Sequence, residues 1–154
     1  MDGDESTLLL MVADGVGGHG HGEWASQTAI ESVAASLAPE LALAEPSTAL
    51  AKTMQATSRL VHERAVALYR DAGPATTLVA AIVRGEQFWW GNIGDSRLYL
   101  VRDGEATQLS EDHSWVAAQV RAGAMTEEEA EHHPRRNLIT RTVGFEAEVQ
   151  ADTA

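Results

Sequence analysis

The sequence contains no cysteine among its 154 residues, and its 11 Lys and Arg residues are outnumbered by 23 Asp and Glu residues. The absence of cysteine excludes a disulfide framework, a thiolate nucleophile and a cysteine zinc site, and it fits a reducing compartment. The net charge of −12 repels phosphate backbones and anionic lipids, so we expect neither nucleic acid nor a membrane as a partner. The same charge favours binding of divalent cations.

Long hydrophobic runs are also missing. The longest apolar run, 8–13, is too short to span a bilayer and lacks the basic flank of a signal peptide, so we expect a cytoplasmic protein. The length and the 44% hydrophobic content predict one globular domain, 1–154, without internal repeats.

The hydrophobic pattern predicts a mixture of helices and antiparallel strands. The apolar segment 7–13 is typical of a strand buried on both faces. Helical spacing predicts one helix over 23–38 that ends at Pro39, and a second over 47–70 with Ser47 as its N-cap. Short segments between turn signals predict a meander of four strands: 76–83, 87–92, 97–101 and 106–109.

Turn and capping residues organise the last third of the chain. Asp103-Gly104 predicts a type I′ hairpin, in which both residues need positive φ. A helix over 114–122 ends at Gly123, and Thr126 with Glu129 forms a capping box for a short helix before Pro134. The segment 138–143 is compatible with a strand or a helical turn.

The glycine-rich stretch "ADGVGGHGHGEWAS", 13–26, has three interpretations. It contains G-x-G-x-x-G, but a dinucleotide fold needs the following helix to lead into a parallel strand, whereas here a second helix follows. His19 and His21 are potential metal ligands, yet the spacing of the other histidines brings none of them close, and a solvent-facing polar loop explains both residues.

The third interpretation uses Asp14 and Gly15. A carboxylate at a strand end and the carbonyl of the next glycine are oxygen ligands suited to Mg²⁺ or Mn²⁺. The pair also suits a simple turn that caps the next helix, and the stretch alone leaves both explanations open.

Four blocks, in order, resemble the metal-dependent protein phosphatases of the PPM or type 2C family, in their bacterial form. The blocks are "VADGVGGHGHGEWAS", "ATTLVAAIV", "GNIGDSRLYLVRDGEATQLSEDHSWV" and "HPRRNLITRTVG", which together extend over 8–144. The resemblance implies an α+β fold in which two antiparallel sheets pack face to face with helices outside. It implies hydrolysis of phosphoserine and phosphothreonine proteins by a water that a two-metal Mg²⁺ or Mn²⁺ site activates, with a third metal nearby.

The same resemblance assigns residues. Asp14 is the expected catalytic carboxylate that bridges both metals, the Gly15 carbonyl binds one of them, and Asp95 binds the third. Residues 112–144 form a flap near the substrate that includes His113, Arg135 and Arg136. In addition, Arg97 is expected to pair with an acidic residue. Val16 stands where many eukaryotic relatives have a histidine, and Ala75 replaces a usual glycine.

The family's first strands, its Asn-Glu-Asp motif and its last two aspartate motifs have no counterpart here, so we expect a partial domain with weak metal binding and poor activity. Open sheet edges are expected to pair with another chain. The alternative is a catalytically inactive phosphatase-like module that binds regulatory or interaction partners.

Overall fold

The computed structural model describes residues 6–17, 21–70 and 73–154, and its largest sheet is built from four antiparallel strands. In chain order the elements are β1 (Thr7–Val12), β2 (Gly15–Val16), α1 (His21–Leu41), α2 (Pro46–Tyr69), β3 (Ala75–Thr76), β4 (Leu78–Arg84), β5 (Gln87–Ile93), β6 (Tyr99–Arg102), β7 (Glu105–Gln108), α3 (Trp115–Arg121), α4 (Glu127–His132) and β8 (Asp152–Thr153). The sheet has the order β1-β4-β5-β8, and β2-β3 and β6-β7 form two ribbons. None of the described helices is long and apolar enough to cross a membrane.

The core lies between the sheet and helices α1 and α2. Leu78, Ile82 and Ile93 project from one face of the sheet and are fully buried, as are Leu50 and Met54 of α2. Successive side chains of each strand alternate between this face and an outer face of the sheet.

Strand β1 does not have the predicted burial on both faces. Leu9 and Met11 pack against the core, but Leu8, Leu10 and Val12 are 53%, 53% and 59% exposed on the outer face. The prediction was wrong because the helices cover only one face of the sheet in the described residues.

The helix boundaries differ from the predictions at two places. Pro39 does not end α1, which continues to Leu41, since the proline lies in the last turn. The N-cap of α2 is Glu45, whose carboxylate accepts hydrogen bonds from the backbone N–H groups of Ser47 and Thr48, with Pro46 as the first helical residue. Thus Ser47 is inside the helix and its hydroxyl donates to Glu45.

The local signals of the last third are confirmed. Asp103 and Gly104 have φ of 54° and 83° in the hairpin between β6 and β7. Thr126 and Glu129 form both hydrogen bonds of the capping box of α4. Residues 138–143 form neither a strand nor a helix, and only isolated bridges at Ile139 and Val143 mark this segment.

Candidate active site

Asp14 follows β1, and two hydrogen bonds to the buried Thr77 hold its backbone. The Thr77 N–H donates to the Asp14 carbonyl at 2.9 Å, and the Asp14 N–H donates to the Thr77 hydroxyl at 2.9 Å. The Asp14 N–H thus bonds to the Thr77 side chain, where a regular strand ladder would use the Thr77 carbonyl. The predicted strand 76–83 is interrupted at this residue and forms β3 and β4. The backbone of Asp14 is fixed while its side chain stays exposed.

Gly15 occupies a place where only glycine fits. A Cβ atom at this residue would lie 2.2 Å from the carbonyl oxygen of Gly22 in the first turn of α1. The close approach explains the glycine after Asp14, because any side chain would push the strand end away from the helix. Val16 and Ala75, the two departures from the family pattern, are partners in the β2-β3 ribbon.

Asp95 lies in a turn that the same threonine contacts. Gly94 has a φ of 112°, and a Cβ there would lie 2.7 Å from the Thr77 side chain. The Thr77 hydroxyl also shares a hydrogen bond of 2.7 Å with the Ser96 hydroxyl. One side chain therefore ties the strand end that carries Asp14 to the turn that carries Asp95.

The electrostatic environment of Asp95 is unfavourable for its negative charge. Burial raises the pKa of Asp95, and the nearby carboxylates of Asp112 and Asp14 raise it further, while a backbone hydrogen bond and the charge of Arg97 oppose this rise. Like charges in a half-buried place favour binding of either a proton or a cation. Carboxylate and carbonyl oxygens are the donors that Mg²⁺ and Mn²⁺ accept, so the residues present fit such an ion.

Arg97 pairs with an acidic residue, as predicted. Its Nε lies 2.9 Å and its Nη2 lies 2.6 Å from Asp112 Oδ2, and Gln108 donates a further hydrogen bond to Oδ1 of the same carboxylate. These bonds raise the pKa of Arg97 above its ordinary value. Arg97 is thereby engaged in holding Asp112 beside the Asp95 turn.

His113 is buried and is only 3% exposed, so its ring does not face a substrate at the surface in this structure. Nδ1 accepts a hydrogen bond from the Gly94 N–H at 3.0 Å, and Nε2 lies 2.9 Å from Asp152 Oδ2. Arg141 donates to the other oxygen of Asp152 at 2.9 Å. Burial by itself would raise the pKa of Asp152, but the hydrogen bonds that His113 and Arg141 donate to its carboxylate lower it overall.

The two predicted flap arginines lie in different places. The Arg135 guanidinium is 5.1 Å from the ring centroid of Trp115, which His133 also stacks against at 4.8 Å. Arg136 instead lines a cleft of about 720 Å³ between α3, α4 and the Asp95 turn. Several charged residues line this cleft: Asp95, Arg97, Glu111, Asp112, Glu127, Glu131 and Arg136.

The alternative histidine site receives no support from the described residues. The His21 ring packs on Tyr69 with centroids 4.1 Å apart, and His19 lies outside the described residues, as does half of the G-x-G-x-x-G segment. Within the described ranges, no group of three or more His, Cys, Asp or Glu side chains could hold a metal ion. Asp14 and Asp95 therefore have no third side-chain ligand in that part of the chain.

The residues that connect the site carry no local signal in the sequence. Thr77 and Ser96 stand inside the quoted motifs without a recognisable role of their own, and Asp152 lies in a tail without a recognisable pattern. The contact between Thr77 and Ser96 spans 19 residues and that between His113 and Asp152 spans 39. Local spacing carries no signal for such pairs.

The protein phosphatase 2C family model matches residues 1–146 of this chain. Because the match extends over nearly the whole chain, the chain belongs to the protein phosphatase 2C family. The resemblance seen in the four sequence blocks and the α+β fold class are both confirmed.

Individual relatives agree with this assignment. The serine/threonine phosphatase stp of Listeria innocua is 38% identical over an alignment of 153 residues, and the match covers 94% of this chain and 59% of the Listeria protein. The crystal structure of the serine/threonine phosphatase Stp1 from Staphylococcus aureus has a TM-score of 0.85 at 30% identity, over 98% of this chain and 60% of that one. The catalytic domain of the serine/threonine phosphatase PstP in complex with two manganese ions has a TM-score of 0.77 at 33% identity, over 97% and 63%. The chain spans about three fifths of the length of these relatives.

Proposed function

We propose that this chain is part of a metal-dependent protein serine/threonine phosphatase, with Asp14, the Gly15 carbonyl and Asp95 as its contribution to the metal site. The observation that carries the proposal is the hydroxyl of Thr77, which binds the backbone of Asp14 and the side chain of Ser96 next to Asp95. The family and the PstP complex with two manganese ions support Mn²⁺ or Mg²⁺ as the cofactor.

The ions, when bound, supply a water of lowered pKa and neutralise the oxygens of the phosphoryl group. Asp14 would hold a cation, and Thr77 keeps the Asp14 backbone in place. Asp95 would hold a further cation, and it lines the same cleft as Arg136, which offers a positive charge there. Phosphoserine and phosphothreonine proteins are the proposed substrates.

Metal binding by this chain is expected to be weak. One carboxylate and one carbonyl replace few of the water ligands of Mg²⁺, which dehydrates reluctantly. We therefore expect turnover to be slower than at a complete two-metal site and to need a high concentration of Mn²⁺.

The test is the Mn²⁺-dependent hydrolysis of a phosphothreonine peptide by the 154-residue chain. Asp14→Asn removes a ligand charge with little change in shape, and Asp103→Asn makes the same change at another Asp-Gly pair, in the exposed hairpin. The proposal predicts activity that chelation and Asp14→Asn abolish and that Asp103→Asn preserves. Equal activity of the two variants would exclude the role of Asp14, and a folded chain without activity would favour the interaction module.

A further inference from the structure

We infer that His113 is a positioning residue, a neutral imidazole that Asp152 orients so that its Nδ1 fixes the Gly94 amide and, through it, the turn that carries Asp95. The inference rests on the proposed function, because the metal that Asp95 binds is part of that proposal. It assigns to His113 a role inside the protein in place of contact with a substrate.

The contacts of the ring define its tautomer. Nδ1 accepts the hydrogen bond of the Gly94 N–H, so this nitrogen carries no proton. Nε2 lies 2.9 Å from Asp152 Oδ2, a pure acceptor when ionised, so Nε2 carries the proton. Arg141 Nη1 lies 3.2 Å from the same Nε2, which places a second positive charge against the ring if His113 became an imidazolium.

His113 holds Gly94 from both sides. Its own backbone N–H donates to the Gly94 carbonyl at 3.0 Å, while its ring accepts from the Gly94 N–H. The Asn92 amide adds a hydrogen bond of 3.2 Å to the same carbonyl. Glycine adopts a φ of 112° readily but has a wide range of other conformations, and these hydrogen bonds hold Gly94 in this one.

The pairs form a chain of contacts towards Asp95. Asp152 is held by Arg141, orients His113, and His113 binds the residue directly before Asp95. The His113 carbonyl also accepts a hydrogen bond from the Thr140 N–H at 2.8 Å, which ties the end of the flap to the same point. Groups behind a ligand that fix its orientation typically change metal affinity by about 10- to 100-fold when removed.

Two conservative variants separate the functions of the ring nitrogens. Asparagine places its Oδ1 two bonds from Cβ, as histidine places Nδ1, so His113→Asn keeps an acceptor for the Gly94 N–H. Glutamine places its amide nitrogen three bonds from Cβ, as histidine places Nε2, so His113→Gln keeps the donor to Asp152 and leaves the Gly94 N–H unpaired. His62→Gln is the matched control on α2, since its Nδ1 contacts the carbonyls of Gly144 and Phe145.

The experiment uses nitrogen-15 NMR on the 154-residue chain. Long-range correlations report the His113 tautomer without any metal, and broadening of the Ser96 amide during an Mn²⁺ titration reports binding at the turn. We expect the Nε2–H tautomer, about tenfold weaker binding for His113→Gln, and binding close to that of the unmodified chain for His113→Asn and His62→Gln.

Two results overturn the inference. One is an Nδ1–H tautomer or an imidazolium at neutral pH, a measurement on the unmodified chain that does not depend on how the variants fold. The other is equal Mn²⁺ binding by the two His113 variants. If Mn²⁺ never broadens the Ser96 amide of the unmodified chain, Asp95 binds no metal there and His113 positions no metal ligand, so the inference is overturned. Loss of hydrolysis alone bears only on the proposed function.

Discussion

At the scale of the residue, one buried hydroxyl connects the two candidate carboxylates. Thr77 is fully buried, accepts from the Asp14 N–H and contacts the Ser96 hydroxyl. A buried donor that loses its partner destabilises a protein more than the hydrogen bond stabilised it, because the donor has also lost water. The effect of Thr77 can therefore be measured by a substitution that preserves its shape.

Thr77→Val is expected to lower the free energy of unfolding by about 1–3 kcal/mol, because it leaves the Asp14 N–H without its partner. Thr53→Val is the control, since the Thr53 hydroxyl is buried on α2 without a hydrogen-bond partner among the described residues. That variant should be neutral or stabilising. Urea unfolding measures both, and equal destabilisation by the two changes would contradict the importance of the Thr77 hydroxyl.

Asp152 makes stability depend on pH. Its folded pKa lies below the ordinary value of 3.8, so its stabilising effect is fully present above that value and is lost as the pH falls towards the folded pKa. Asp152→Asn should destabilise the chain by about 1–2 kcal/mol at pH 7, allowing for the 35% exposure of the side chain.

The pH series supplies the test for Asp152. The difference in unfolding free energy between the unmodified chain and Asp152→Asn should shrink below about pH 4. Asp103→Asn serves as the control for the loss of one negative charge. A difference that is constant with pH would exclude the ionised Asp152 as its source.

At the scale of the element, the turn and capping-box predictions agree with the structure, although the local signals at Pro39 and Ser47 misplaced two helix ends. Features that depend on distant contacts were not predicted. Thr126 and Glu129 are close in sequence, so their capping box could be recognised, and the same holds for Asp103-Gly104. The break at Thr77 depends on Asp14, 63 residues away, and β8 pairs with β5 through Gly91 and Asn92. Neither could be predicted from spacing.

In the candidate active site, too, local motifs could be recognised from the sequence and distant contacts could not. The carboxylates Asp14 and Asp95 were predicted because they stand in motifs that resemble those of a known family. Their connection through Thr77, and the support of the Asp95 turn by His113 and Asp152, required the structure because each contact joins separate elements.

Gly15 tests the packing between the strand end and α1. Gly15→Ala places a Cβ 2.2 Å from the Gly22 carbonyl, a backbone atom that cannot turn aside, and should destabilise the chain by about 3 kcal/mol. Gly104→Ala meets nothing within 4 Å and carries only the strain of its positive φ, about 1–2 kcal/mol. Thermal unfolding compares the two, and a smaller effect at Gly15 would show that α1 does not press on this strand end.

At the scale of the whole molecule, helices α1 and α2 cover one face of the sheet, and the other face is exposed along β1. The exposed face carries Leu8, Leu10, Val12 and Phe88, and β1 forms an edge of the sheet in the described residues. Exposed apolar surface beside an open strand edge favours association with another chain. The pairing with another chain that the sequence led us to expect stays a prediction, and this surface is the place where we expect it.

The prediction is that the 154-residue chain self-associates through this face. Leu8→Thr combined with Leu10→Thr removes apolar surface while keeping good strand formers, and should shift sedimentation towards the monomer. Leu43→Thr, at a residue that is 82% exposed outside the sheet, is the control and should leave association unchanged. Association that neither change affects would contradict a role for this face.

We expect Asp14 and Asp95 to serve one region that binds divalent cations. The most direct measurement is a titration with Mn²⁺ followed by nitrogen-15 NMR, which locates the ion through the amides that it broadens. We expect broadening at both Gly15 and Ser96, with the Gly15 effect lost in Asp14→Asn and retained in Asp103→Asn. Broadening centred on the acidic first turn of α4, at Glu127–Glu129, with Gly15 and Ser96 unaffected, would contradict it.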